Sequence, residues 1–134
     1  MSTKIYVNLP VKDLERSKEF FGRLGFEFDP KFTDRNATCM IVGENNFVML
    51  LTEEFFGKFT KKELSDTARA TEVILALSAE SREKVDEMFD RAIAAGGAAG
   101  VEPVDENSMY NRSFEDPDGH LWEIFFMEQS AAAL

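Results

Sequence analysis

The sequence predicts an α+β fold made of two copies of a βαβββ module in one chain. Three observations predict it. Apolar residues recur at every second position, then at helical spacing of roughly 3.6, then at every second position again, and this happens twice. Each helical stretch opens on a capping residue and closes on glycine: Asp13 with Gly25, then Ser81 with Gly96-Gly97. Each is then followed by three short strand-like runs. An internal repeat of this kind narrows the architecture sharply. The 134 residues suit a single domain, which most often runs to roughly 100–150 residues. Module one is expected over about 4–52, a linker over 53–70 and module two over about 71–128.

The first module opens with Ile5, Val7 and Leu9 alternating with Lys4, Tyr6 and Asn8, the pattern of a strand with one face on a core. Asp13 caps a helix whose inner face carries Leu14, Phe20, Phe21 and Leu24. Strand-like runs follow at Phe26–Phe28, Ala37–Val42 and Asn46–Thr52, the last two joined by a Gly43-Glu44-Asn45 hairpin signal. The linker opens on Glu53-Glu54-Phe55-Phe56-Gly57-Lys58-Phe59, read as a short helix sealing the core edge, or else as a lid or subunit contact. The second module repeats the order. Thr71–Leu77 is the strand, and Val85, Met88, Phe89, Ala92 and Ile93 form one helical face after Ser81. Strands are expected at Val101–Val104, Met109–Glu115 and Leu121–Met127, with a strong turn at Asp116-Pro117-Asp118-Gly119. The tail from Gln129 is expected to fray.

Composition excludes several function classes. Hydrophobic residues are 44% and charged residues 30%, and 15 basic against 25 acidic side chains give a net charge of −10. The longest basic run is Lys61-Lys62, so the chain lacks the cationic face that nucleic acid or an anionic membrane requires. No stretch approaches the roughly 20 apolar residues of a membrane span. Met1-Ser2-Thr3-Lys4 leads straight into the first strand, so no signal peptide is expected. Cys39 is the only cysteine, which removes internal disulfides and points to a reducing, cytoplasmic location. His120 is the only histidine, which removes His-rich metal motifs. It falls at the turn-to-strand junction, where its ring is expected either to be exposed or to cap the loop, while Cys39 is read as a small buried hydrophobe and Arg112 as an ion-pair partner of Asp116 or Glu115.

Three motifs carry a family resemblance. They are Val7-Asn8-Leu9-Pro10-Val11-Lys12-Asp13-Leu14 with Ser17 and Phe20-Phe21, the Leu24-Gly25-Phe26 stop, and Arg112-Ser113-Phe114-Glu115-Asp116-Pro117-Asp118-Gly119-His120-Leu121-Trp122-Glu123. Together, over about Ile5 to Met127, the chain resembles the vicinal oxygen chelate superfamily, which includes glyoxalase I, bleomycin- and fosfomycin-resistance proteins and extradiol dioxygenases. The resemblance implies curved mixed sheets around a cleft, helices outside, a small-molecule ligand, a homodimer and, in the enzymes, a divalent metal. It places the family's ligand positions at Tyr6, Leu50, Glu72 and Glu123.

Glu123 and Glu72 are the candidate metal ligands and the candidate catalytic carboxylates. Leu50 has no donor atom, and a phenol such as Tyr6 ionises only near pH 10. The expected cofactor is therefore none, or a weakly bound divalent metal. Tyr6, Asn8, Leu50, Asn111 and Ser113 are the candidate substrate-binding residues, with Tyr6 and Asn8 on one wall and Leu50 opposite. Two functions follow. One is a glyoxalase-like enzyme, a lyase or isomerase acting on an α-carbonyl substrate by carboxylate-assisted proton transfer. The other is a bleomycin-resistance-type protein that sequesters a ligand without metal, where acidic charge would suit a cationic drug or peptide.

Overall fold

A computed structural model of the chain describes residues 3–106 and 108–128, and the expected fraying from Gln129 lies outside them. The chain divides into two compact units, the first ending at Asp66 and the second beginning at Thr67. Each is an α+β unit with its own mixed sheet.

In the first unit the sheet contains β1 (Ile5–Val11), β2 (Glu27–Asp29), β3 (Ala37–Ile41) and β4 (Asn46–Thr52), in the order β1-β4-β3-β2. β1 runs parallel to β4, and the other neighbours are antiparallel. Helix α1 (Leu14–Arg23) links β1 to β2. The Asp13 carboxylate accepts the Arg16 N–H at 3.1 Å, satisfying one of the orphan donors of the first turn. Gly25 ends the helix with φ 105°, a conformation that costs glycine nothing because it has no Cβ. Leu14, Ser17, Phe20 and Phe21 form the buried face of α1. Leu9, Val11, Val48, Leu50, Thr38 and Met40 are buried with them. Phe20 and Phe21 meet edge to face at 4.9 Å, the arrangement ring quadrupoles prefer.

The joining segment does begin as a short helix, α2 (Glu53–Phe56), capped by Thr52 Oγ1 accepting the Phe55 N–H at 3.3 Å. It lies against β1 and β4, although Phe59 in the following turn is exposed.

The second unit repeats the topology. Its strands are β5 (Ile74–Ser78), β6 (Ala98–Ala99), β7 (Val104–Glu106), β8 (Met109–Glu115) and β9 (Leu121–Met127). β5 is parallel to β9, β9 is antiparallel to β8, and β6 and β7 share the outer edge of β8. Helix α3 (Arg82–Ala94) is capped by Ser81 Oγ accepting the Lys84 N–H at 3.1 Å. Val85 and Ala92 are fully buried beside Phe114, Trp122 and Ile124. Ile93, expected on the same inner face, is instead 39% exposed, because it falls at the edge of the stripe that Val85 and Ala92 centre.

Two further expectations are corrected. β5 starts at Ile74 rather than Thr71, since its partner β9 starts at Leu121 and nothing lies opposite the earlier residues. The strand expected at Val101–Val104 is split into β6 and β7, with residues 100–103 looped out between them. Among the described residues no helix is long and apolar enough to cross a membrane.

Candidate functional site

In the second unit the register sorts the strand residues into two faces, because residues paired across a ladder project to the same side. Leu75, Leu77, Trp122, Ile124, Tyr110, Arg112 and Phe114 face α3. Ala76, Leu121, Glu123, Phe125, Asn111 and Ser113 occupy the helix-free face. Asn111 and Ser113 thus share a side, as the alternation of their strand predicts.

Glu123 is a half-buried carboxylate on that largely apolar face. Asn111 Nδ2 donates to its Oε1 at 2.9 Å. An ionised carboxylate only accepts, so the amide of Asn111 must turn its NH₂ toward Glu123 and its carbonyl oxygen away. Neither the second carboxylate oxygen nor Asn111 Oδ1 has a hydrogen-bond partner among the described residues. The pair therefore offers two free acceptors, one of them charged, bordered by Phe125 and Leu121.

The other expected site residues fall elsewhere. Ser113 pairs directly with Glu123, but its hydroxyl is turned to the main chain and accepts the Val101 N–H at 2.9 Å. Glu72 precedes β5 in an exposed irregular segment, so the expectation that it projects from a strand is corrected. In the first unit, Tyr6 and Asn8 share the helix-free face with Phe47, Met49 and Leu51. Tyr6 stacks on Phe47 at 4.8 Å, and the Asn8 amide donates to the Tyr6 carbonyl at 3.1 Å. Leu50 does not face Tyr6 and Asn8. It is paired with Leu9 and Thr38, is 0% exposed, and belongs to the core beneath α1. The run Phe47-Val48-Met49-Leu50-Leu51 is apolar at every position, so its alternation carries no sign of which residues turn inward.

Arg112 departs from its sequence reading. Arg112 pairs with Asp86 on α3 at 2.9 Å, and its guanidinium lies 3.7 Å from the centre of the Phe89 ring. It reaches neither Asp116 nor Glu115 because it projects to the helix face. Of the two placements expected for His120, the exposed one is excluded, since the residue is buried. Asp116 is buried beside it, accepting the Asp118 and His120 N–H groups at 2.9 and 3.1 Å and the Trp122 indole N–H at 3.0 Å. Burial raises the Asp116 carboxyl above its ordinary value, against the opposing influence of His120 and these donors. Cys39 is buried as expected, and burial followed by the charge of Asp29 pushes its thiol up, away from nucleophilic use.

A hard divalent ion needs three or four oxygen or nitrogen donors. Leu50 supplies none and is in the core, and Met49 beside it on the strand offers only a soft thioether. Glu72 stands outside the strand that would hold it. Among the described residues no group of three His, Cys, Asp or Glu side chains could hold a metal. These residues do not fit the resident metal of the family's enzymes.

Comparison with known proteins places the fold. The chain resembles the hypothetical protein SA1046 from S. aureus, with TM-score 0.80 and 29% identity over 94% of this chain and 95% of that one. It resembles a glyoxalase/bleomycin resistance protein/dioxygenase family enzyme from Burkholderia phytofirmans PsJN, with TM-score 0.78 and 17% identity over 95% and 100%. It also resembles the fosfomycin resistance protein FosX from Listeria monocytogenes, solved with Mn(II) and sulfate, with TM-score 0.70 and 19% identity over 98% and 94%. The comparison with curated proteins gives no match. A family model covers residues 5–124, nearly the whole chain. On that match and on the paired βαβββ units, the chain belongs to the Glyoxalase/Bleomycin resistance protein/Dioxygenase superfamily.

Proposed function

We propose that this chain is a ligand-binding member of its superfamily that captures a small organic cation without a resident metal. The observation that carries this is the Glu123–Asn111 pair, which presents two free acceptors, one of them on the carboxylate, beside the remaining amide N–H of Asn111 on a largely apolar sheet face. Such a pair matches a ligand with an apolar body and two N–H donors, such as an amidine or guanidine, and it rejects an anion. The net charge of −10 favours the same choice of ligand. A homodimer in the cytoplasm completes the proposal, supported by the family habit and the lone buried thiol; sedimentation at a mass above 15.2 kDa checks the assembly.

A second reading keeps the enzyme. The free oxygen of Glu123 is also placed to take a proton beside a substrate carbonyl, the step that glyoxalase-type chemistry requires. Titration separates the two. Benzamidine should bind and benzoate should not, and Glu123→Gln should weaken benzamidine by roughly tenfold or more, the worth of a charged hydrogen bond. Tight, stoichiometric binding of nickel, zinc or manganese that disappears in Glu123→Gln would overturn the metal-free reading. Turnover of the methylglyoxal–glutathione hemithioacetal, lost in the same variant, would establish the enzyme.

A further inference from the structure

The chain between β6 and β7 is held against the Glu123 face in a way that the fold alone does not demand. β6 and β7 pair with the same edge of β8, and residues 100–103 bulge out between them. Two hydrogen bonds fasten this bulge to Ser113. The Gly100 N–H donates to the Ser113 carbonyl at 2.9 Å. The Val101 N–H donates to the Ser113 hydroxyl at 2.9 Å. A side chain at position 100 would fall on the Ser113 hydroxyl and within 2.9 Å of Ser113 Cβ, so only glycine permits the approach.

The direction of the clasp is informative. Ser113 projects to the helix-free face, directly opposite Glu123 in the ladder. A serine on an uncovered face would be accessible, yet Ser113 is buried. What reaches its hydroxyl is the Gly100–Val101 backbone, which is therefore folded onto the Glu123 side of the sheet. Val101 is left 70% exposed at the outside of this loop, an apolar side chain with no core to join.

We propose that Ser113 is a positioning residue that fixes Gly100 and Val101 as a rim beside Glu123, and that Val101 limits the size of the ligand accepted there. The proposal rests on Glu123 being the binding carboxylate. Ser113 does not touch the ligand in this account, because it is buried beneath the Gly100–Val101 backbone.

The experiment compares two probes, benzamidine and 4-butylbenzamidine, on the full chain. Val101→Ala trims the rim at an exposed position and should leave folding intact. It should raise the affinity for 4-butylbenzamidine relative to benzamidine by about three- to tenfold, the range for one or two methyl groups of apolar contact or clash. Ser113→Ala should raise the same ratio and speed exchange of the Val101 amide by about tenfold, since that N–H loses its acceptor. A ratio unchanged in both variants, while Glu123→Gln still weakens binding of both probes by about tenfold or more, overturns the rim and leaves the Glu123 reading standing. Failure of both probes to bind the unaltered chain, or indifference of both to Glu123→Gln, overturns the Glu123 reading and the rim with it.

Discussion

Asp86 shows how one residue on a helix surface is tied to the sheet below it. Its Oδ1 accepts the Tyr110 hydroxyl at 2.5 Å and the Arg112 guanidinium at 2.9 Å. The Tyr110 hydrogen bond, followed by that of Arg112 and its charge, lowers the Asp86 carboxyl below its ordinary value, and the same bond raises the Tyr110 phenol. A lowered carboxylate stabilises the fold above the ordinary aspartate value and loses that contribution as pH falls through the lowered one. Removing the phenol oxygen should reverse much of this. In Tyr110→Phe the Asp86 carboxyl should titrate higher, as followed by carboxyl carbon NMR, and the acid-side loss of stability should be smaller and complete at higher pH. An Asp86 titration unmoved by Tyr110→Phe would mean that Arg112 alone holds it. Asp116 has the opposite sign: its raised carboxyl contributes stability below the ordinary aspartate value, which is lost as pH rises through the raised one. For Glu123, on which the proposed function rests, the alternation of an apolar strand gave the face it occupies. Its link to Asn111 was not legible, because parity gives the side of a residue and not its partner across the ladder.

At the scale of elements, the caps and turns were the most readable features, because each rests on one residue type with one geometric use. Asp13 and Ser81 both cap as side-chain acceptors, and Gly25, Gly96 and Gly119 all take positive φ. β4, β8 and β9 lie within the bounds their patterns suggest. What the pattern missed was imposed from outside the segment. β5 is shortened by its partner, and the strand after Gly100 is interrupted by the Ser113 clasp. Leu50 was misplaced because its strand is apolar on both faces. The Asp116–Gly119 turn gives the sharpest test. Gly119 has φ 86°, and a Cβ there would meet the Thr67 carbonyl oxygen at 2.5 Å. Thr67 is itself fixed by its hydroxyl donating to the Asp118 carbonyl at 2.6 Å, so it cannot retreat freely. Gly119→Val should combine backbone strain of about 1–3 kcal/mol with this clash. Chemical denaturation should show a loss at or above that range, and an unchanged midpoint would mean that the turn is not rigid.

For the whole molecule, the relevant quantities are its charge and its repeated architecture. Two units with the same strand order and different side chains let one fold carry different chemistry on each sheet. The first presents a stacked Tyr6–Phe47 pair, and the second presents Glu123 with Asn111. Over both lies a net charge of −10, which raises the local concentration of cations without choosing where they bind. Salt separates that diffuse effect from the local one. A field summed over exposed charges is screened beyond about 8 Å at physiological ionic strength, whereas a hydrogen bond to a half-buried carboxylate is screened much less. Benzamidine affinity should therefore fall by a modest factor between low and high salt and then level off at a residual set by Glu123. In Glu123→Gln the residual should vanish, and only weak, fully salt-sensitive attraction should remain. Measured by titration calorimetry at several salt concentrations, a wild-type affinity that decays to nothing would show that the chain attracts cations only through its overall charge, with no site at the Glu123–Asn111 pair.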